Sequence, residues 1–190
     1  LLIVVATTYA QSLNEDFEGD QFPPKGWETR CIEYSLLSYP KWEQVNNKDI
    51  NTFVTGYKGG KAAQSTSSGA GLSALWTSNW LPQITVGNNE YLSFMLGANG
   101  AYNGLKDVNP YELKVLVSTA GNDSVSFKET VFSIIPKGVL PWGNYTIDMS
   151  KYAGQKVYIA FWDFGHALNA TGSFLANKLY LDNIKMTQTP

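Results

Sequence analysis

Tyr111-Glu-Leu-Lys-Val-Leu-Val117 decides the fold class. Its odd positions are apolar, while Glu112 and Lys114 face the other way. A period of two is the pattern of a half-buried β-strand. Val157-Tyr-Ile-Ala-Phe-Trp162 is apolar throughout, so it reads as a central strand covered on both faces. Outward from these two, short strand-like runs recur between Gly, Asn and Pro at 50–55, 62–66, 73–78, 91–96, 127–133, 144–149 and 178–186. Asn14-Glu-Asp-Phe-Glu-Gly19 reads as a short first strand and Phe22-Pro-Pro-Lys-Gly-Trp27 as a pinned turn, with Trp27 plugging one end. Ser150-Lys-Tyr-Ala-Gly154 suits a single helical turn capped by Ser150 and ended by Gly154. No window keeps a 3.6-residue apolar stripe long enough for a packed helix. About nine strands spaced by turn signals describe an all-β sandwich or barrel.

Composition narrows the function classes. At 190 residues, the chain suits one domain. With 44% hydrophobic and 16% charged residues it is too apolar to be disordered. Six Trp and 11 Tyr favour sheet packing, and they suit sugar or protein recognition. The net charge is −2 and no Lys/Arg cluster occurs, which argues against nucleic acid. Cys31 has no second cysteine to pair with, and the single His166 leaves little basis for a histidine metal site. Leu1-Leu-Ile-Val-Val-Ala6, with small residues at Thr8 and Ala10 before Gln11, reads as a signal-peptide remnant over 1–10. Residues 11–190 read as one secreted domain without a membrane-length apolar run.

An ordered series of motifs then carries a resemblance. Asp16-Phe-Glu18 precedes Pro24-Lys-Gly-Trp27, Lys61-Ala-Ala-Gln-Ser65 and Ser78-Asn-Trp-Leu-Pro82. Tyr91-Leu-Ser-Phe94, Glu112-Leu-Lys-Val-Leu-Val-Ser-Thr119, Ile147-Asp-Met-Ser-Lys-Tyr-Ala-Gly154 and Leu179-Tyr-Leu-Asp-Asn-Ile184 follow. In this order the chain resembles the cleaved-adhesin or choice-of-anchor J domains of Bacteroidetes, including the adhesin modules of gingipains and haemagglutinins. The resemblance implies a two-sheet antiparallel jelly-roll sandwich of the galactose-binding and MAM kind. It also implies a calcium-stabilised module without catalysis, carried on secreted or cell-surface proteins. A monomeric domain that holds a glycan or a host or matrix protein is the expected function. A lectin-like glycoside hydrolase and a structural spacer beside a catalytic domain are the alternatives.

Candidate site residues follow. Ca²⁺ takes six to eight oxygens at about 2.3–2.6 Å. The resemblance points to Glu18 and Asp182 as ligands, and Asn14 and Asp16 add oxygens near the first strand. Neighbouring first and last strands would let one ion join them. Alternation along an extended segment would put Asp16 and Glu18 on one face. For ligand rings, Trp42, Trp142 and Tyr102 are the candidates for exposure, since aromatics on a rigid sandwich serve recognition. Glu112, Asp148, Asp163 and Asp182 show no spacing that marks a glycosidase pair, and no nucleophile motif surrounds Asp163, His166 and Ser173.

Overall fold

A computed structural model describes residues 13–31, 41–51, 54–67, 77–99, 112–136, 139–164 and 177–190. Two antiparallel sheets face each other. The first holds β1 (Asn14–Glu15), β3 (Lys41–Asn46), β4 (Lys61–Ser67), β7 (Tyr91–Asn99), β10 (Leu140–Asp148) and β12 (Asn177–Thr187). Its order is β10-β7-β12-β4-β3, with β1 paired to β12. The second holds β2 (Glu28–Cys31), β5 (Thr77–Trp80), β6 (Ile84–Thr85), β8 (Glu112–Ser118), β9 (Glu129–Ile134) and β11 (Lys156–Phe164). Its order is β2-β5-β11-β8-β9, with β6 paired to β11. The all-β sandwich expected from the sequence is therefore the observed architecture.

The strands that decide the fold class pair with each other, Val115 opposite Phe161 and Val117 opposite Ile159. Leu113, Val115 and Val117 point inward, as do Val157, Ile159 and Phe161. Leu92, Phe94, Leu96, Leu179 and Leu181 meet them from the first sheet. Phe94 crosses the interior to stand edge-on to Phe161 at 5.1 Å. β11 is central and doubly covered, because Ala160 and Trp162 pack on its outer face with Leu116 and Phe127. Trp27 is buried, edge-on to Phe17 at 5.6 Å.

Two local readings change. The described residues of the run at 50–55 form no strand. Asn47–Asn51 form α1, and the Val54 N–H donates to the Ile50 carbonyl at 2.9 Å. Ile50 in α1 and Val54 beyond it are both buried against Tyr57, Ala62 and Tyr180 on the outer face of the first sheet. Burial on one side overrides their β-propensity. The turn at 150–154 is a 3-10 helix, Ser150–Tyr152, whose first N–H is held by the Asp148 carboxylate and not by a cap at Ser150. Gly154 closes it at φ 76°. The strands β2 and β3 escape a purely apolar reading because they are edges with mixed composition.

Candidate functional site

The beginning and the end of the domain lie side by side. Asn14 pairs with Lys185 and Glu15 with Ile184. The backbone is irregular on both sides of that pairing. Phe17 has φ 56° and Asn183 φ 49°, both in the left-handed region. The pairing of β12 with β7 shifts register between Asp182 and Lys185. Non-glycine residues in that region are uncommon and favour functional sites.

Side chains hold the first irregularity. The Phe17 N–H donates to Glu15 Oε1 at 2.7 Å, and the Glu18 N–H to Asp16 Oδ1 at 3.1 Å. The chain turns and drops the Phe17 ring into the core, where it is 2% exposed. β1 stops at Glu15, so Asp16 and Glu18 do not share a face of an extended strand. The bend, rather than alternation, positions them.

Glu18 then reaches the start of β4. Its Oε1 accepts the N–H groups of Gly60 at 2.7 Å and Lys61 at 2.8 Å. A Cβ on Gly60 would run into Glu18 Oε2, and one on Gly59 would run into the Tyr57 hydroxyl with Asp182 Oδ2 3.1 Å away. Two successive glycines thus admit the Glu18 carboxylate and the Tyr57 phenol that stands beside Asp182. Asp182 is 2% exposed. Its Oδ1 accepts the Asn183 N–H at 2.7 Å, and Asn183 Nδ2 donates to Oδ2 at 3.2 Å. The Tyr57 hydroxyl stands beside it and donates to the Lys61 carbonyl. Burial is the main cause that pushes the Asp182 carboxyl up to about 6, with the charges of Glu18 and Asp16 adding to it. The same acids, after burial, hold the Tyr57 phenol above its ordinary range. The Lys61 ammonium faces the outside of the turn, on the carbonyls of Glu18 at 3.2 Å and Gly19 at 3.0 Å and on Asp20 at 3.1 Å.

The structure therefore brings Asp16, Glu18 and Asp182 into one electrostatic cluster. Asn14 stays exposed on β1 opposite Lys185. Among the described residues, no three His, Cys, Asp or Glu side chains form a metal cage by themselves. The donor set is all oxygen, as a hard cation needs, and backbone carbonyls or water would complete it. Tyr57, Gly59 and Gly60 escaped the sequence reading. The glycine pair directly before Lys61-Ala-Ala-Gln-Ser65 was the available signal.

The ring candidates fare differently. Trp42 is 2% exposed and belongs to the principal core, because its position on β3 points inward opposite Ser65. It is packing, not a rim platform. Trp142 sits on β10 and is half-buried. It stacks on Tyr57 at 4.5 Å and lies against Gly97, where a Cβ would be 3.1 Å from its ring. Its ring closes the outer cluster over Tyr57 and Tyr180 instead of standing in solvent. Tyr102 lies outside the described residues, as do His166, Ser173 and 1–12.

Other acids hold the fold. Asp148 Oδ1 accepts the Ser150 N–H at 2.8 Å. Glu112 accepts from Ser133 and pairs with Lys114 at 3.2 Å. Asp163 lies in the interior, bonded to the Ser65 hydroxyl.

No family model matches the chain. Hemagglutinin A of Porphyromonas gingivalis is 33% identical over 192 residues, which covers 92% of this chain and 7% of that protein. The Hemagglutinin A of strain W83 is 32% identical over 198 residues. The chain thus spans less than a tenth of these relatives' length. Among solved structures, the K1 cleaved adhesin domain of Lys-gingipain from Porphyromonas gingivalis has a TM-score of 0.66 at 22% identity, covering 94% of this chain and 99% of that one. The K2 domain has a TM-score of 0.66 at 18% identity, covering 93% and 99%. A family 61 carbohydrate-binding module in complex with β-1,4-galactotriose has a TM-score of 0.55 at 14% identity, covering 91% and 94%. The resemblance carried by the ordered motifs holds: the chain is a relative of a short segment of Hemagglutinin A and has the fold of the gingipain cleaved adhesin domains.

Proposed function

We propose that this domain is a non-catalytic binding module of a secreted or surface protein, which retains a glycan without turning it over. One observation carries the reading, the 33% identity to Hemagglutinin A along 92% of the chain. The shared fold with a module that holds β-1,4-galactotriose supports a saccharide over a protein ligand. The acids support it from the other side. Glu112, Asp148 and Asp163 each bond to a serine of the scaffold, whereas a glycosidase needs two facing one cleft.

A structural Ca²⁺ at Glu18 and Asp182 belongs to the same proposal, with Asp16 supplying charge. The ion would offset the repulsion that now burdens Asp182 and would tie the first turn to the last strand.

A glycan array and a hydrolysis assay on one sample test the reading. Retention without product is expected. Product release would overturn it in favour of a hydrolase, and silence in both assays in favour of a spacer or a protein-binding module.

A further inference from the structure

The outer edge of the second sheet carries a cleft of about 200 Å³ bounded by Gly26, Glu28, Pro82, Gln83, Asn122 and Tyr158. Tyr158 belongs there because Val157 and Ile159, its neighbours on β11, point inward. It is half-exposed. Gly26, at φ 84°, brings the preceding turn against Pro82, where a Cβ would stand at 3.5 Å.

One guanidinium fixes the walls. Arg30 Nε and Nη2 donate to Glu28 Oε2 at 2.8 and 2.5 Å, and Nη1 donates to the Asn122 carbonyl at 2.8 Å. Arg30 thus ties β2 to the turn after β8 before any ligand arrives, which lowers the ordering cost of binding. Glu28 Oε1 stands outside this clamp. The side-chain amides of Gln83 and Asn122 make no hydrogen bond in the described structure.

The chemistry that remains is specific. A carboxylate oxygen and two planar amides offer donors and acceptors to adjacent hydroxyls. The Tyr158 ring and Pro82 offer an apolar surface to C–H groups. Arg30 balances Glu28, so no net charge calls for an ionic ligand. The volume falls below the roughly 300–1,000 Å³ of drug-sized sites, which limits the occupant to one small ring. A larger cleft, about 340 Å³, lies between Ser118 and Glu129. Three of its polar side chains are committed already: Ser118 Oγ accepts two backbone N–H groups, Ser126 bonds Asp123, and Glu129 pairs with Lys151.

We propose that the cleft beside Tyr158 holds one neutral pyranose residue of a glycan, with Tyr158 as platform and Glu28, Gln83 and Asn122 as hydroxyl partners. This rests on the glycan-binding reading above and gives it a location. The test uses the intact chain on a glycan array, followed by calorimetric titration with β-1,4-galactotriose and with each glycan the array retains. Gln83→Ala and Asn122→Ala should each weaken binding about tenfold. Tyr158→Ala should remove it. Both amides are exposed, so the double amide variant decides the matter if Tyr158→Ala unfolds. Lys128→Ala, in the larger cleft, should bind as the original does. A double amide variant of unchanged affinity overturns the location and leaves glycan binding standing. An original chain that retains no glycan overturns both.

Discussion

Asp163 and Asp182 are both buried aspartates on long central strands, yet their surroundings differ in kind. Asp163 is 1% exposed at the inner face of β11, where its partner is the Ser65 hydroxyl of the opposite sheet. Its carboxyl is pushed up to about 7 by burial, with Ser65 pulling the other way and no second charge involved. Its Oδ1 has no hydrogen-bond partner. Asp182 is 2% exposed on β12, at a register shift, with Glu18 and Asp16 acting on it. Burial alone makes a carboxyl prefer its neutral form. Burial beside other carboxylates makes a place where a cation is worth more than a proton. One aspartate is a bolt between sheets, and the other is a candidate ligand.

The sharpest way to break this contrast is pH. The folded pKa of Asp163, about 7, lies above its ordinary 3.8, so the folded state holds this proton more tightly than the unfolded chain does. Its contribution to stability is complete below the ordinary value and is lost as pH rises through 7. Denaturant titrations at pH 4 and pH 8 should show a difference of about 2–4 kcal/mol from this group. Asp163→Asn should flatten that slope. An unchanged slope would mean that Asp163 does not carry a raised pKa.

Calcium probes the other aspartate. At about 100 times its dissociation constant, a ligand adds about 2.7 kcal/mol. That is a rise of several degrees in melting temperature, which EDTA should reverse. Asp182→Asn should abolish the response, while Asp163→Asn should keep it. If both variants respond like the original chain, Asp182 is not a ligand.

A smaller effect separates the glycines. Gly60→Ala would push the Glu18 carboxylate from the two N–H groups it accepts, a loss of about 1 kcal/mol. It should also blunt the calcium response. Gly19→Ala, with nothing within 4 Å of its added Cβ, should be close to neutral. Equal melts for the two variants would mean that Glu18 tolerates a side chain at Gly60.

Legibility in the sequence followed the reach of each signal. β8 and β11 were readable because alternation and double-sided apolarity are local consequences of where a strand sits between layers. The adjacency of the first and last strands came from the ordered motifs, and the observed pairing of Asn14 with Lys185 agrees. The reading of 50–55 failed because Ile and Val favour strands locally, whereas the outer face of the first sheet buries Ile50 from a short helix and Val54 from beyond it. Trp42 was misplaced for a related reason. Aromatics on a sandwich can serve recognition, yet alternation on an edge strand still sends one face into the core.

Sequence alone determined that this protein is a sandwich of short strands with an aromatic interior, and it supplied acidic residues at both ends of the chain. Those features depend on side-chain type and spacing over a few residues, which any reader of the chain can count. Tertiary structure alone decided which acids meet. Glu18 reaches Gly60 and Lys61 across 42 and 43 residues, and Arg30 reaches Asn122 across 92. Such contacts exist only when two layers close over each other, because the closed core, and no local preference, sets the distances between them.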